Sequence, residues 1–178
     1  MFSYEGEKRR SNSDLTFPED EVKLAKAMMD ELKTTMEFFH YLMNHRGESS
    51  LAMILLSSDD VKLDHLLPKW KRQSDVLFEL DNANNVYVII CQSTDSHGGK
   101  QFAEILMANI RLHGESDTYC VVSEPKTMRS SIQEVIFEMV EKYIVVKEDK
   151  KANKVFFIGV ENTENTENED IIYHTDRS

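Results

Sequence analysis

The stretch Arg72–Asp95, RQSDVLFELDNANNVYVIICQSTD, decides the fold. Two runs, Val76–Leu80 and Val86–Gln92, are rich in Val, Ile, Leu, Phe and Tyr. Asp81-Asn82-Ala83-Asn84-Asn85 separates them. β-Branched and aromatic side chains suit the pleated surface of a strand, and Asn and Asp tolerate the backbone of a turn. The stretch therefore predicts a β-hairpin. Just before it, Arg72 and Asp75 set a cation and a carboxylate three residues apart.

Upstream of the hairpin, Leu51–Leu56 is a continuous apolar run and predicts a central strand buried on both faces. After Ser57-Ser58-Asp59-Asp60, a helix is expected from Val61 to Gln73, capped by Ser58 or Asp59, with Leu63, Leu66, Leu67 and Trp70 inward. Pro68 predicts a break or kink in it near Leu67. Downstream, Thr94-Asp95-Ser96 offers an N-cap for a helix from Gly99 to His113 that buries Phe102, Ile105, Leu106, Ala108 and Ile110 and stops at Gly114. Thr118–Ser123 reads as a strand and Pro125–Ser130 as a loop. Ser131–Val146 carries apolar residues at helical spacing, from Ile132 to Tyr143; its β-branched end, Ile144-Val145-Val146, could fray or turn extended. Val155–Val160 is the last expected strand. The order β α β β α β α β predicts an α/β (α+β) architecture, a mixed sheet flanked by helices.

A long helix precedes this unit. Thr16 with Glu19 resembles a capping box, Pro18 suits a first turn, and Gly47 closes the segment. Val22, Ala25, Met29, Leu32, Met36, Phe39 and Met43 alternate at spacings of three and four, as in a coiled-coil seam. Two readings stay open: a single amphipathic helix packed on its own domain, or a helix that makes a homodimer or binds a protein partner. The expected organisation is a polar disordered tail (1–16), the N-terminal helix (17–47), the mixed-sheet domain (48–160) and an acidic disordered tail (161–178) built on repeated Glu-Asn-Thr.

The 178 residues suffice for one domain of ordinary size. A formal net charge of −11 weighs against general binding to nucleic acid or to an anionic membrane, since phosphate affinity rests on cations. No run of 18 apolar residues exists, so no membrane insertion is expected, and the N-terminus lacks the apolar core of a signal peptide. Cys91 and Cys120 fall in strand-like runs and read as buried thiols of a cytoplasmic protein. No metal-ligand spacing of His and Cys is present, and no cofactor is expected. His97-Gly98-Gly99-Lys100 lacks the spacing of a phosphate loop and reads as a polar helix start.

The order of elements and several local strings resemble a GGDEF domain, the fold of diguanylate cyclases. The family's first strand carries L-L-D-x-D-x-F-K-x-x-N-D. Here Leu55-Leu56-Ser57-Ser58-Asp59-Asp60-Val61-Lys62-Leu63-Asp64-His65-Leu66 keeps Asp59 and Lys62. Ser57 stands at the first metal-binding Asp, His65 at the guanine-reading Asn and Leu66 at the Asp after it. The family then has R-x-x-D, five residues and the GGDEF signature. Arg72-x-x-Asp75 and Val76–Leu80 match, but Asp81–Asn85 replaces the signature. Lys150-Lys151-Ala152-Asn153 is similar to the closing K-x-G-R-N, with Asn153 kept.

The resemblance implies phosphoryl transfer from GTP, which needs carboxylates holding divalent metal and glycines where backbone meets nucleotide. Ser57 and a turn without Glu or Gly remove both. Asp59 with Asp81 is the remaining pair for one metal. The expectation is a catalytically inactive GGDEF-like signalling domain with no catalytic and no metal-binding residue. In the family, R-x-x-D forms the inhibitory site for cyclic di-GMP. Arg72 and Asp75 are therefore the candidate ligand residues, guanidinium to phosphate or guanine edge and carboxylate to guanine N–H. A second arginine usual on the following helix is Ile105 here, and Arg111 is nearly two turns on. The same pair also fits a helix-ending cation and a turn carboxylate. The alternative function is a ligand-free interaction or dimerisation module of a bacterial signalling system.

Overall fold

The computed structural model describes residues 19–46, 50–125 and 131–158. Nine elements follow in order: α1 Glu19–Arg46, β1 Leu51–Ser58, α2 Leu67–Trp70, β2 Val76–Asp81, β3 Val86–Gln92, α3 Ser96–His113, β4 Thr118–Ser123, α4 Ile132–Glu148 and β5 Val155–Ile158. The strands form one sheet in the order β2-β3-β1-β4-β5. All pairings are antiparallel except β4 with β5, so the sheet is mixed.

β1 sits at the centre, and all eight of its residues are buried. Side chains alternate between faces along a strand. Met53 and Leu55 meet the apolar faces of α1 and α4; Ala52, Ile54 and Leu56 meet α3 and the 61–67 segment. β3 alternates the same way, Val88 and Ile90 one way and Ile89 and Cys91 the other. The hairpin pairs β2 with β3, with a bulge between Glu79 and Asp81.

Local sequence explains the helix ends. Asp95 accepts from the Gly98 backbone N–H at 2.8 Å, so α3 begins at Ser96. A Cβ on Gly99 would lie 2.8 Å from the Ala52 Cβ, so Gly99 lets α3 close on β1. That contact fixes the helix's phase. Gly99, Ala103, Leu106, Met107 and Ile110 face the sheet, whereas Ile105 and Ala108, expected inside, are exposed. Ser131 and Glu134 form a reciprocal capping box at the start of α4. The Ile144-Val145-Val146 end stays helical, because burial of Val146 outweighs its weak helix propensity.

α1 buries Ala25, Met28, Leu32, Met36, Phe39 and Met43 against β2, α4 and the sheet. The seam is thus occupied within the chain. Met28 takes a buried place, Met29 is half-buried and Val22 is exposed.

The expected helix from Val61 to Gln73 is reduced to the single turn of α2, with Pro68 in its first positions. The Asn85 side chain explains the loss. Its Oδ1 accepts from Leu63 N–H at 3.1 Å, and its Nδ2 donates to the carbonyls of Ser58 (2.8 Å) and Val61 (2.6 Å). The Val61 carbonyl, which a helix from Val61 would use, is committed to a residue of the hairpin tip instead. Neither Ser58 nor Asp59 caps a helix; the Ser58 hydroxyl bonds Ser116 and Thr118. The expectations for residues 1–18, for closure at Gly47, for 126–130, for the end of the last strand at 159–160 and for the acidic tail lie outside the described residues.

Asn85 also holds a left-handed backbone, φ 58°. Asn85→Ala removes three buried hydrogen bonds and leaves a Cβ residue with no compensating contact at positive φ. We expect a loss of about 3 kcal/mol, read as a lower urea midpoint at unchanged slope.

Candidate functional site

The two candidate sites lie at opposite ends of the hairpin. The first is its base. The turn between α2 and β2 closes through Asp75 N–H on the Arg72 carbonyl at 3.0 Å. The Asp75 carboxylate then folds back. It accepts from Arg72 backbone N–H at 2.9 Å, from Nε at 3.1 and 3.2 Å and from Nη2 at 2.9 Å. Arg72 Nη2 also donates to Thr94 Oγ1 at 2.7 Å and to the Gln92 carbonyl at 3.3 Å. The Asp75 side chain is fully buried, while that of Arg72 is half exposed. The hydrogen bonds to Asp75 outweigh desolvation and push the guanidinium pKa further up. Sequence reading found the pair but missed Thr94 and Gln92, which reach it only because β3 lies beside β2. Nη1 is engaged by no protein oxygen among the described residues.

On that side of the sheet, Cys91 is buried, and burial followed by the nearby Asp75 charge pushes its thiol up to about 12. Cys120 is likewise free and buried. Ile105, at the resemblance's second arginine, is exposed.

The second place is the tip of the hairpin. Ser57 pairs with Val86 across β1 and β3, so the Ser57 position and the 81–85 turn are neighbours. The Ser57 hydroxyl accepts from Tyr143 of α4 at 2.6 Å, in the core. Burial pushes the Tyr143 phenol up to about 12, so it stays a donor across the neutral range. Asp81 accepts from Asn84 N–H at 3.1 Å and from Asn84 Nδ2 at 2.6 Å, which holds its carboxyl below the usual range. Asn153, the retained residue of the closing string, pins the start of β4: its N–H donates to the Thr118 carbonyl at 2.7 Å, and its Oδ1 accepts from Thr118 N–H.

A cavity of about 950 Å³ opens beside this tip. Leu24 and Ala27 of α1, Leu80 and Val86 of the hairpin and Tyr143 of α4 make its apolar wall. Lys147 joins it to a smaller cavity of about 230 Å³ lined by Asp59, Asp60, Lys62 and Asn84.

A divalent metal fits poorly here. Ser57 offers a hydroxyl already engaged by Tyr143, and Asp81 is taken up by Asn84. No three metal-ligating side chains converge among the described residues.

No family model and no curated protein matches the sequence. Solved structures do match. The diguanylate cyclase SiaD of Pseudomonas aeruginosa, in complex with its activator SiaC, aligns at TM-score 0.59 and 12% identity over 72% of this chain and 57% of that one. A microbial GGDEF domain in a novel interaction mode with cyclic di-GMP aligns at 0.57 and 6% identity, over 72% of this chain and 92% of that one. The GGDEF domain of DgcB from Caulobacter crescentus, in complex with cyclic di-GMP, aligns at 0.50 and 13% identity, over 74% and 88%. The chain has the fold of a GGDEF domain.

The closed pair at the hairpin base yields a stability prediction. Arg72→Ala strands a buried carboxylate, discounted because the guanidinium is half exposed. The expected loss is about 1–2 kcal/mol by denaturant unfolding at pH 7. Arg72→Ala combined with Asp75→Ala is expected to cost less than the sum of the two single changes.

Proposed function

We propose that this is a catalytically inactive GGDEF-like signalling domain that senses cyclic di-GMP through Arg72 and Asp75. The inactivity rests on one contact. The residue where the family resemblance asks for a metal-binding carboxylate is Ser57, and its hydroxyl is held by Tyr143 inside the core. Phosphoryl transfer from GTP needs that charge, and without metal the barrier rises by many kcal/mol.

The ligand reading rests on preorganisation. Asp75 and Thr94 fix the plane of the Arg72 guanidinium, and half of its side chain is open to a phosphate or a guanine edge. The carboxylate orients the arginine, and the arginine meets the nucleotide. Two of the similar structures are complexes with cyclic di-GMP, which agrees with the reading.

A second reading is favoured by α1. Its outer side exposes Phe38 and Tyr41, the latter stacked on His45 at 4.0 Å between ring centroids. An exposed aromatic strip of this kind suits a protein partner or a second copy of the chain. SiaD was solved with its activator protein. Deleting α1 would uncover the core, so surface changes are the proper probe.

Calorimetric titration with cyclic di-GMP should give saturable binding in the micromolar range, lost in Arg72→Lys, which keeps the charge but not the fork. No heat at tens of micromolar in the folded wild type would end the sensing reading. Incubation with GTP and magnesium should give no dinucleotide; any product overturns the inactivity. Light scattering should show an assembly that Phe38→Glu with Tyr41→Glu disperses; a monomeric wild type removes the homodimer.

A further inference from the structure

Glu21 lies in the first turn of α1, where that helix meets α4. Only 4% of its surface is exposed, and its Oε1 is buried without a hydrogen-bond partner. No other buried side-chain oxygen or nitrogen among the described residues is left so. A buried acceptor without a partner is destabilising, and more so when it is charged.

The groups around it do not compensate. From α4, Glu141 and Glu148 face it. The lysines of that stretch are engaged elsewhere: Lys142 lies over the Phe156 ring at 5.6 Å and Lys147 over the Tyr143 ring at 6.0 Å. The nearby Lys23 of α1 acts on Asp81 of the hairpin. On α1 itself, Glu19 and Asp20 are further acids of the first turn. The positive end of the helix dipole favours an anion there. Burial first, then Glu141 and Glu148, outweigh it and hold the carboxyl above its ordinary 4.5.

The same turns wall the large cavity, through Asp20, Lys23, Leu24 and Ala27. Farther along, Leu32 and Met36 are fully buried and Phe39 and Met43 nearly so, which secures the rest of the helix. We propose that the first two turns of α1 form a proton-controlled flap. With Glu21 neutral they dock on α4 and complete the wall of the cavity beside the hairpin tip; with Glu21 ionised they loosen and that wall is lost.

The sign follows from linkage. The docked state binds the proton more tightly than the loose one. Docking is therefore unpenalised below the free carboxyl's pKa, and the penalty is complete above the raised one. The flap does not depend on cyclic di-GMP binding, and its test contains no nucleotide.

Amide exchange of residues 22–28 is followed in the full chain against pH, corrected for intrinsic rates, with α3 amides as internal reference. Wild type should lose protection severalfold as pH rises through the Glu21 transition, with α3 unchanged. Glu21→Gln should stay protected throughout. Glu141→Gln and Glu148→Gln should each move the transition to lower pH. Three results would overturn the flap: a transition that persists in Glu21→Gln, α3 amides losing protection together with α1, or a Glu21 carboxyl that titrates by carbon-13 NMR at or below 4.5.

Discussion

Burial of β1 on both faces is the constraint from which the architecture follows. A strand with eight buried residues at the centre of a sheet needs an apolar layer on each side. α3 and the 61–67 segment supply one, α1 and α4 the other. α1 is thus part of the core, although its spacing has the form of a free coiled-coil seam. The same face cannot serve both uses at once, so an assembly made by this helix must use its outer side.

The hairpin carries the second consequence. Where the resemblance asks for charged and glycine residues at the tip, this chain has side chains that bind one another. Asn85 ties the tip to the segment after β1, Asn84 ties up Asp81, and Tyr143 ties up Ser57. Each contact makes its residue part of the internal structure of the tip. Neutral hydrogen bonds avoid the repulsion and desolvation that clustered carboxylates impose without a metal.

Much of this was legible in the chain. The hairpin, the central strand, β4, the long first helix and the two helices after the hairpin were readable because period-2 and period-3.6 patterns report burial directly. Arg72 and Asp75 stood out by spacing alone. The expected 61–73 helix fails although its periodicity is real, because the competitor for the Val61 carbonyl, Asn85, lies 24 residues away. The phase of α3 was misread because it depends on how closely Gly99 approaches Ala52.

Residue identity and local spacing set the order of elements, the sheet with helices on both faces and a hairpin turn without Glu or Gly. Tertiary structure alone decided that the α1 seam is used internally, that Arg72 is braced by Thr94 and Gln92, and that Glu21 is left without a partner. Each of these depends on which segments are brought side by side. Local periodicity identifies the face a helix or strand hides, and only packing identifies what hides it.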